Sequence, residues 1–272
     1  WLYRCFSCGA QGDAIDFIRE HDGVDFNAAC EKLGATDTIW KPRIELSAAE
    51  LAPVLDRITT AAPIGAESPN MNLRKLGEPV RVWAYRNESG HILGYVARYE
   101  VEGKKEIRPF TWGARGDDMP AWSVGSFSKP RPLFNLDKLA ARTDAPVIMV
   151  EGEKACEAAE LLLPQYICTT FPGGAQAWKH ADLEPLRGRR VDLWPDADEP
   201  GRAAMLAISK VIADPRGLAC TGKLIDPRGL IDGGDAADWP AGEDPIPWLR
   251  ERSTWYAPPN PAPQDSAASL PP

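Results

Sequence analysis

Two short apolar runs that end on carboxylates constrain the fold of this chain more than any other feature. The run at residues 147–150 is followed by Glu151, and the run at residues 191–194 is followed by Asp196 and Asp198. Each run is rich in β-branched or bulky apolar residues, and a helix-like segment follows each one. Such runs are typical of buried strands in a parallel sheet. The sequence therefore predicts an α/β fold in which a parallel sheet is flanked by helices.

The three carboxylates are expected to meet at one edge of that sheet. In open α/β sheets, ligands bind beyond the carboxyl ends of the strands. Asp196 and Asp198 are two residues apart, so in extended backbone their side chains point to one side. Together with Glu151 they offer hard oxygen ligands that suit Mg²⁺ or Mn²⁺. The alternative is that these acids only cap helices or lie in solvated loops.

The order of these motifs resembles the Toprim domain. An apolar strand ending in Glu-Gly and a later Asp-x-Asp-x-x-Gly lie within residues 145–238. The domain is shared by bacterial-type primases, type IA and type II topoisomerases, RecR-type recombination mediators and overcoming-lysogenisation-defect nucleases. The resemblance implies a Rossmann-like sheet, Glu151 in acid–base or metal chemistry, and Asp196 and Asp198 as metal ligands. The stretch at 234–238 is similar to the late acidic motif of primase Toprim domains, which implies Asp235 as a further ligand.

A pair of cysteines near the start of the chain indicates half of a zinc site. Cys5 and Cys8 are spaced as Cys-x-x-Cys, and a structural zinc needs four ligands. Residues 5–34 resemble the downstream half of the CHC2-type zinc ribbon of primases. The positions that match that pattern are Gly9, Gly12, Asp13, Phe17, Phe26 and Ala29. We expect the remaining Cys and His ligands to precede Trp1, and we interpret the chain as a piece of a longer polypeptide.

Helix signals accompany the first 60 residues. Asp13 is a plausible N-cap for a helix that Gly23 ends, and a second short helix is predicted near residues 27–33. A third is predicted over residues 47–60, beginning at Ser47 or, because Pro53 would lie inside the helix, at a later residue. The next ten residues have the composition of a linker.

Residues 80–131 have the alternating pattern of a β-meander. Between positions 71 and 145 there are 13 Lys and Arg residues against 9 Asp and Glu residues. Basic residues interleaved with aromatic ones suit a path for single-stranded nucleic acid, in which cations track phosphates and rings stack on bases. The basic candidates are Arg86, Arg98, Lys104, Lys105 and Arg108, and the aromatic ones are Trp83, Tyr85, Tyr95, Tyr99, Trp112 and Trp122. The alternative is an ordinary half-buried sheet whose aromatic residues form its core.

Several residues near the predicted strand ends are candidates for phosphate contacts. Lys154 follows the Glu-Gly pair, and Arg202 opens the helix after the second acidic motif. Gly173 and Gly174 offer backbone N–H groups to a phosphate, or they form a plain turn. The sequence DPRGL occurs twice, at residues 214–218 and 226–230, and the repeat indicates no particular function.

These patterns predict five parts along the chain. The parts are a partial zinc ribbon with helices at 1–40, a helix and linker at 41–72, a β-rich basic subdomain at 73–143, a Toprim domain at 144–240 and a Pro-rich linker at 241–272.

Composition narrows the function classes. No apolar run approaches a membrane span, and no secretory signal is visible. The six cysteines lack a disulfide-like spacing, so a reduced, cytoplasmic setting is expected. The formal net charge of −8 argues against general coating of nucleic acid. A GxxxxGK[ST] loop is absent from this sequence, which argues against a helicase within it.

The sequence thus predicts a DNA primase of the DnaG type, from a phage or mobile element. Such an enzyme would make short RNA primers from NTPs on a single-stranded DNA template, using Mg²⁺ or Mn²⁺, with Zn²⁺ in its ribbon. A fused or separate replicative helicase is the expected partner, and no membrane is involved. Two alternatives remain open: a Toprim nuclease or nickase, and a non-catalytic DNA-binding module of the replication machinery.

Overall fold

A computed structural model describes residues 2–4, 11–24, 26–33, 58–114 and 118–258 of the chain. The chain divides into two compact units, Trp1–Val54 and Leu55–Pro272. No helix within the described ranges is both long and apolar enough to cross a lipid bilayer.

The first unit contains a strand pair and two short helices. Strand β1 (Leu2–Arg4) pairs antiparallel with β2 (Gln11–Asp13). Helix α1 (Ala14–Asp22) follows directly and is succeeded by α2 (Phe26–Lys32), as the sequence predicts. The carboxylate of Asp22 accepts a 2.6 Å hydrogen bond from Lys32, which ties the ends of the two helices together.

The predicted helix over residues 47–60 is wrong at its carboxyl end. Residues 47–57 lie outside the described ranges, but Ile58–Thr59 forms a short strand, β3. This strand pairs antiparallel with a later strand, Ile58 opposite Ala114 and Thr59 opposite Gly113. A Cβ on Gly113 would lie 2.0 Å from the Ile58 carbonyl oxygen, so this close pairing requires glycine.

The predicted β-meander is confirmed as an antiparallel sheet in the second unit. Its further strands are β4 (Arg81–Arg86), β5 (Ile92–Val101), β6 (Lys104–Ala114) and β7 (Ala121–Val124). The strand order is β3-β6-β5-β4, and β7 also pairs with β6. Glu102 and Gly103 join β5 to β6 with φ angles of 51° and 74°. Two successive positive φ values are typical of the tight turns that fit the twist of a hairpin.

The predicted parallel sheet forms the remainder of the second unit. Its strands are β8 (Val147–Met149), β9 (Ile167–Thr169), β10 (Val191–Leu193), β11 (Gly222–Ile225) and β12 (Ser253–Ala257). The order is β12-β11-β10-β8-β9, and only β12 runs antiparallel. The helices are α3 (Leu136–Ala141), α4 (Glu153–Leu162), α5 (Glu199–Ile212) and α6 (Ile246–Glu251), with 3₁₀ turns at Ala175–His180, Glu184–Leu186 and Ala236–Asp238. The predicted α/β class is therefore confirmed.

Both faces of this sheet are covered, which explains why the central strand β8 is apolar throughout. Ile148 belongs to a buried cluster that includes Cys156 of α4. Val147 and Met149 belong to a second cluster that includes Met205 of α5. Successive strand residues point to opposite faces, so alternation assigns neighbouring side chains to different clusters.

The antiparallel sheet shares the first of these clusters. Trp83 and Tyr85 of β4 are buried together with residues of α4. The Tyr85 hydroxyl donates a 2.7 Å hydrogen bond to Oε1 of Glu153, the first residue of α4. Arg81 pairs with Glu157 one turn further along, at 2.8 Å. These two contacts hold the antiparallel sheet against α4, the helix that starts at the carboxyl edge of the parallel sheet.

The linker predicted at residues 241–272 is contradicted over its first part. Residues 246–251 form α6, and β12 extends the parallel sheet by pairing with β11. The Tyr256 hydroxyl donates a 2.7 Å hydrogen bond to the Val191 carbonyl, which anchors β12 near the start of β10. The sequence prediction failed because a short antiparallel edge strand carries little apolar signal. The other predicted part boundaries stay predictions.

The repeated DPRGL sequence has a local structural explanation. Asp214 accepts a hydrogen bond from the backbone N–H of Arg216, and Asp226 accepts one from the backbone N–H of Arg228. Both repeats therefore begin with the same turn, in which an aspartate side chain satisfies the backbone two residues on.

Candidate functional site

The loops that follow β8 and β10 meet at the carboxyl edge of the parallel sheet. The two strands are direct neighbours, with Met149 opposite Leu193. Glu151 lies two residues beyond the first strand, and it is only 8% exposed. The backbone N–H of Asp196 donates a 2.9 Å hydrogen bond to Glu151 Oε1. The structure thus joins the two loops through the first predicted acid.

Gly201 brings the third acid to the same place. Asp198 caps α5, and its Oδ1 accepts a 2.7 Å hydrogen bond from the Gly201 N–H. A Cβ on Gly201 would lie 2.1 Å from Glu151 Oε1 and 3.0 Å from Asp198 Oδ1. Because Gly201 has no side chain, the carboxylates of Glu151 and Asp198 can both pack against its Cα. This packing explains physically why the Asp-x-Asp-x-x-Gly pattern ends on glycine.

Asp235 reaches the site through a second loop contact. The Ala197 N–H donates to the Gly234 carbonyl at 2.8 Å, which holds the loop containing residue 235 against the acidic loop. The Asp235 carboxylate caps the following 3₁₀ turn by accepting a 2.6 Å hydrogen bond from Ala237. Its charge raises the pKa of both Glu151 and Asp196. The structure therefore brings the fourth predicted acid to the other three.

Negative charge accumulates at this edge. Burial, followed by the charges of Glu151, Asp235 and Asp198, raises the pKa of Asp196 from its ordinary 3.8 to about 7. Burial also raises the pKa of Glu151, and the hydrogen bond from Asp196 partly offsets that increase. Carboxylates that raise each other's pKa values are destabilised as anions. A cation placed among them would relieve that repulsion.

The donor chemistry fits Mg²⁺, although the side chains do not form a closed cage. Carboxylate oxygens are the ligands that this ion uses together with water and phosphate oxygens. Among the described residues, no three Asp, Glu, His or Cys side chains are gathered in a metal-binding arrangement. The site therefore supplies the ligand type and the charge for a hydrated ion, without a preformed set of short contacts.

The raised pKa of Asp196 predicts a pH-dependent effect on stability. The pKa of Asp196 is higher in the folded state than in the unfolded state, so protonation of this carboxyl stabilises the fold. This stabilisation is complete below about pH 4 and is lost as pH rises through about 7. The uncharged amide in an Asp196→Asn variant imitates the neutral acid. In EDTA at pH 8 we expect this variant to melt about 2–4 °C above the unchanged protein, since partial exposure screens the effect.

Thermal melting at pH 4 and pH 8 tests this prediction. The difference between the two proteins should disappear at pH 4. Asp232→Asn removes the same charge from an exposed position, so it should change neither melting temperature. An Asp196→Asn variant that melts below the unchanged protein at pH 8 would contradict the electrostatic argument.

The predicted phosphate contacts lie around the same edge but differ in their surroundings. Lys154 is exposed on the first turn of α4. Gly173 and Gly174 follow β9 with φ angles of 107° and 77°. Arg202 pairs with Glu199 at 2.9 Å and also lines a cleft of about 570 Å³ between α5 and β11. Arg202 therefore already forms a local ion pair with Glu199.

The predicted nucleic-acid path is divided between two faces of the antiparallel sheet. Strand pairing places Arg98 and Lys105 on the face that packs against α4. Lys104 and Arg108 lie on the opposite face. Arg86 donates to the Gly90 carbonyl at 2.9 Å and stabilises its own turn. Arg98 and Arg108 form ion pairs with Glu100 and Glu106, so the five residues do not line one continuous track.

The proposed stacking role of the aromatic residues is wrong for half of them. Trp83, Tyr85 and Tyr99 are buried in the core and cannot stack on bases. Tyr95, Trp112 and Trp122 are half-buried and pack against one another, with ring centroids 5.4–5.5 Å apart. The alternative interpretation, in which aromatic residues form the core of the sheet, is therefore correct for Trp83, Tyr85 and Tyr99.

Lys105 lies close enough to the acidic site for its charge to be felt there. It lies at the start of β6, two residues before Ile107, which packs against the core shared with α4. Its charge lowers the pKa of Asp196 and, beyond the larger effects of burial and Tyr85, that of Glu153. No sequence pattern indicates this proximity, because it depends on how the two sheets pack.

The segment that contains Cys5 and Cys8 is similar to a known zinc-binding family, although both cysteines lie outside the described ranges. Residues 1–45 match the family model of the CHC2 zinc finger, the zinc ribbon of DnaG. This segment is similar to the zinc ribbon of DNA primases. The predicted resemblance to DnaG-type primases is thereby confirmed, and the match supports Zn²⁺ as the metal of this segment.

Curated relatives match a short stretch of the chain. A DNA primase of Thermotoga maritima is 50% identical over 32 residues, which are 12% of this chain and 6% of that protein. A DNA primase of Pseudomonas putida is 43% identical over 42 residues, or 15% of this chain and 6% of that protein. The similar stretches thus span only a small part of the primases they match.

Solved primase structures resemble the chain distantly. The zinc-binding and RNA polymerase domains of the Aquifex aeolicus primase align with a TM-score of 0.41 and 16% identity, over 93% of this chain and 73% of that chain. The RNA polymerase domain of Mycobacterium tuberculosis primase DnaG aligns with a TM-score of 0.40 and 19% identity, over 84% of this chain and 67% of that chain.

Proposed function

We propose that this chain carries the primer-synthesising site of a DNA primase. The observation that supports the proposal most is the combination of two features in one chain. A zinc-ribbon segment similar to that of DNA primases is followed by a parallel sheet whose edge gathers Glu151, Asp196, Asp198 and Asp235. On this proposal the α/β part is a Toprim domain, and the reaction is template-directed joining of ribonucleotides.

The four acids would hold Mg²⁺ during this reaction. Bound at this edge, the ion supplies positive charge to the attacking and leaving oxygens of phosphoryl transfer. Glu151 is held in place by the Asp196 N–H and packed against Gly201, so its carboxylate has a fixed direction. Burial raises its pKa, which makes it a better acceptor for the proton of a primer 3′-hydroxyl.

Basic side chains around the acids would orient the phosphates. Lys105 approaches from the antiparallel sheet, and Lys154 projects from the start of α4. Both are compact cations that can contact a triphosphate without a fixed geometry. Arg202 and the Gly173–Gly174 turn stay candidates for the same role.

The wider setting belongs to the same proposal. A primase acts on a single-stranded DNA template with NTPs, and it would do so in the cytoplasm beside a replicative helicase. Zinc in a complete ribbon would use Cys5 and Cys8. An origin in a phage or mobile element belongs to the same proposal, because the β-rich segment at residues 80–131 looks closer to the shorter region of such primases than to the basic subdomain of bacterial ones.

Extension of a short RNA annealed to a DNA template tests the proposed activity. A pre-annealed RNA removes the need to select a start site, so the assay reports on the carboxylate site itself. We expect incorporation of labelled NTPs that requires both the template and Mg²⁺. Nicking of supercoiled plasmid with Mg²⁺ and without any incorporation would instead support a nuclease. Metal-independent DNA binding with neither reaction would support a non-catalytic module.

A further inference from the structure

Strand β12 forms an open edge of the five-stranded sheet. It pairs with β11 on one side, and no other strand in the described part of the chain pairs with its second side. Its sequence, Ser-Thr-Trp-Tyr-Ala, contains no charged residue and no proline, which are two common means by which edge strands avoid pairing with another chain. Aromatic and β-branched residues of this kind favour a strand. The edge therefore has the composition of a strand that accepts a partner.

Contacts beneath the sheet hold this edge in place. The register of β12 on β11 shifts at Tyr256, whose hydroxyl is bonded to the Val191 carbonyl of the central strand β10. A Cβ on Gly222 would lie 2.8 Å from that hydroxyl and 1.9 Å from the Val191 carbonyl oxygen, so this packing requires glycine. The three residues before the shift, Ser253 to Trp255, keep a regular register. An added strand would thus meet an edge that is already ordered, which lowers the entropic cost of binding.

Two cations lie beside the exposed ring on this edge. Trp255 is 42% exposed. The Lys223 ammonium is 5.1 Å from the centroid of its ring, and the Arg190 guanidinium carbon is 5.9 Å from the same centroid. Cations are attracted to the face of an indole ring. Lys223 belongs to β11 and Arg190 precedes β10, so these contacts bring charge from the interior strands to the edge strand.

This positive charge is only partly compensated. Arg190 pairs with the buried Asp192 at 2.8 Å, and the Tyr166 hydroxyl donates to the same carboxylate at 2.8 Å. Lys223 and Arg250 line one cleft of about 160 Å³ together with Arg190. Within the described ranges, neither Lys223 nor Arg250 forms an ion pair with an Asp or Glu. The patch is therefore locally basic on a chain whose formal net charge is −8.

The basic patch beside β12 is at the opposite edge of the sheet from the acids. Tyr166 and Arg190 immediately precede β9 and β10, at the amino edge, whereas Glu151 follows β8 at the carboxyl edge. The patch is therefore separate from the proposed metal site. An extended polypeptide can continue the backbone hydrogen bonds of an edge strand, which a nucleic-acid strand cannot do.

We infer that β12 is a docking edge for an extended, acidic segment of a partner protein, which adds a strand to the sheet. The added strand would lie about 4.8 Å from β12. An acidic side chain next to Trp255 then meets the charges of Lys223 and Arg190. A second copy of this chain fits the edge less well. Two-fold pairing of β12 with itself would place the same cations of both copies on one face, where they repel.

Fluorescence anisotropy of a labelled peptide of alternating glutamate and valine residues tests the inference. Lys223→Glu replaces an attraction by a repulsion, so the affinity for this peptide should fall about tenfold. Trp255→Ala removes the exposed ring and should also weaken binding, by about tenfold. Lys75→Glu makes the same charge change at an exposed position elsewhere and should leave the affinity unchanged. Equal affinity in Lys223→Glu and Lys75→Glu overturns the inference.

Backbone methylation of the peptide tests the strand pairing separately from the charges. In a β-ladder, alternate N–H groups of the added strand point toward β12 and the others point away. Methylation of one alternate set of peptide nitrogens should abolish binding, and methylation of the other set should leave it nearly unchanged. Equal effects of the two sets would show that the peptide is held by charge without strand addition, and the inference would be wrong.

Two further measurements distinguish the other occupants. Sedimentation of the unchanged protein should show no dimer that depends on β12. A dimer that Trp255→Ala dissociates would assign the edge to a second copy. A labelled single-stranded DNA oligonucleotide should bind Lys223→Glu and Lys75→Glu equally. Weaker oligonucleotide binding in Lys223→Glu alone, with no peptide binding to the unchanged protein, would assign the patch to nucleic acid. Either result overturns the peptide assignment.

Discussion

Asp196→Asn is expected to reduce RNA extension by roughly a thousandfold at saturating Mg²⁺. Positive charge held beside the attacking and leaving oxygens lowers the activation barrier by several kcal/mol. Each ~1.36 kcal/mol of that barrier is a factor of ten in rate. Asp196 lies at the centre of the acidic site, because its pKa responds to Glu151, Asp235 and Asp198 together. The amide keeps the size of the side chain and removes its charge.

The same variant separates loss of chemistry from loss of folding. It should melt no lower than the unchanged protein at pH 8, since the substitution relieves repulsion among the acids. Asp232→Asn, in the adjoining loop, should keep nearly full extension activity. Extension that survives Asp196→Asn at the original rate would remove this residue from the proposed metal site.

Gly201→Ala is expected to lower extension by about tenfold to a hundredfold without removing any acid. The added Cβ would lie 2.1 Å from Glu151 Oε1, so the carboxylate must move and its hydrogen bond from Asp196 must lengthen. Displacement of a reacting group by about 1 Å can cost a hundredfold in rate. Higher Mg²⁺ should not restore the rate, because the expected defect is the displaced carboxylate of Glu151 and not a weaker affinity of the site for metal.

Gly152→Ala is the matched control for this experiment. Gly152 is the immediate neighbour of Glu151 and caps α4 with extended backbone, and a Cβ there would have no atom within 4 Å. The same methyl group is therefore added beside the same acid, but without contact. Equal losses in the two variants would show that the Gly201 contact does not control the position of Glu151.

The parallel sheet was predictable because its signals are local. The predicted strand at 147–150 matches β8 to within one residue, and the helix-like segment predicted after it is α4. A buried run, a terminating acid and a following helix are all properties of consecutive residues. The rule that ligands bind at carboxyl ends of strands then placed Glu151 beside Asp196 without further information.

The remainder of the site depends on contacts between distant segments. Lys105 meets the acids because the antiparallel sheet packs on α4, which no local pattern encodes. Trp83 and Tyr85 alternate with other residues along β4, and alternation alone does not say which face of a sheet is covered.

The hydrogen bond between Tyr85 and Glu153 has a consequence for cooperativity. The sequence suggests a boundary near residue 144, yet Trp83 and Tyr85 share their core with α4 on the other side of it. A chain cut at this boundary would expose that face of α4 to water and leave the Glu153 carboxylate without its donor. The antiparallel and parallel sheets should therefore unfold in one transition, as a single thermodynamic unit, although they are two layers of structure.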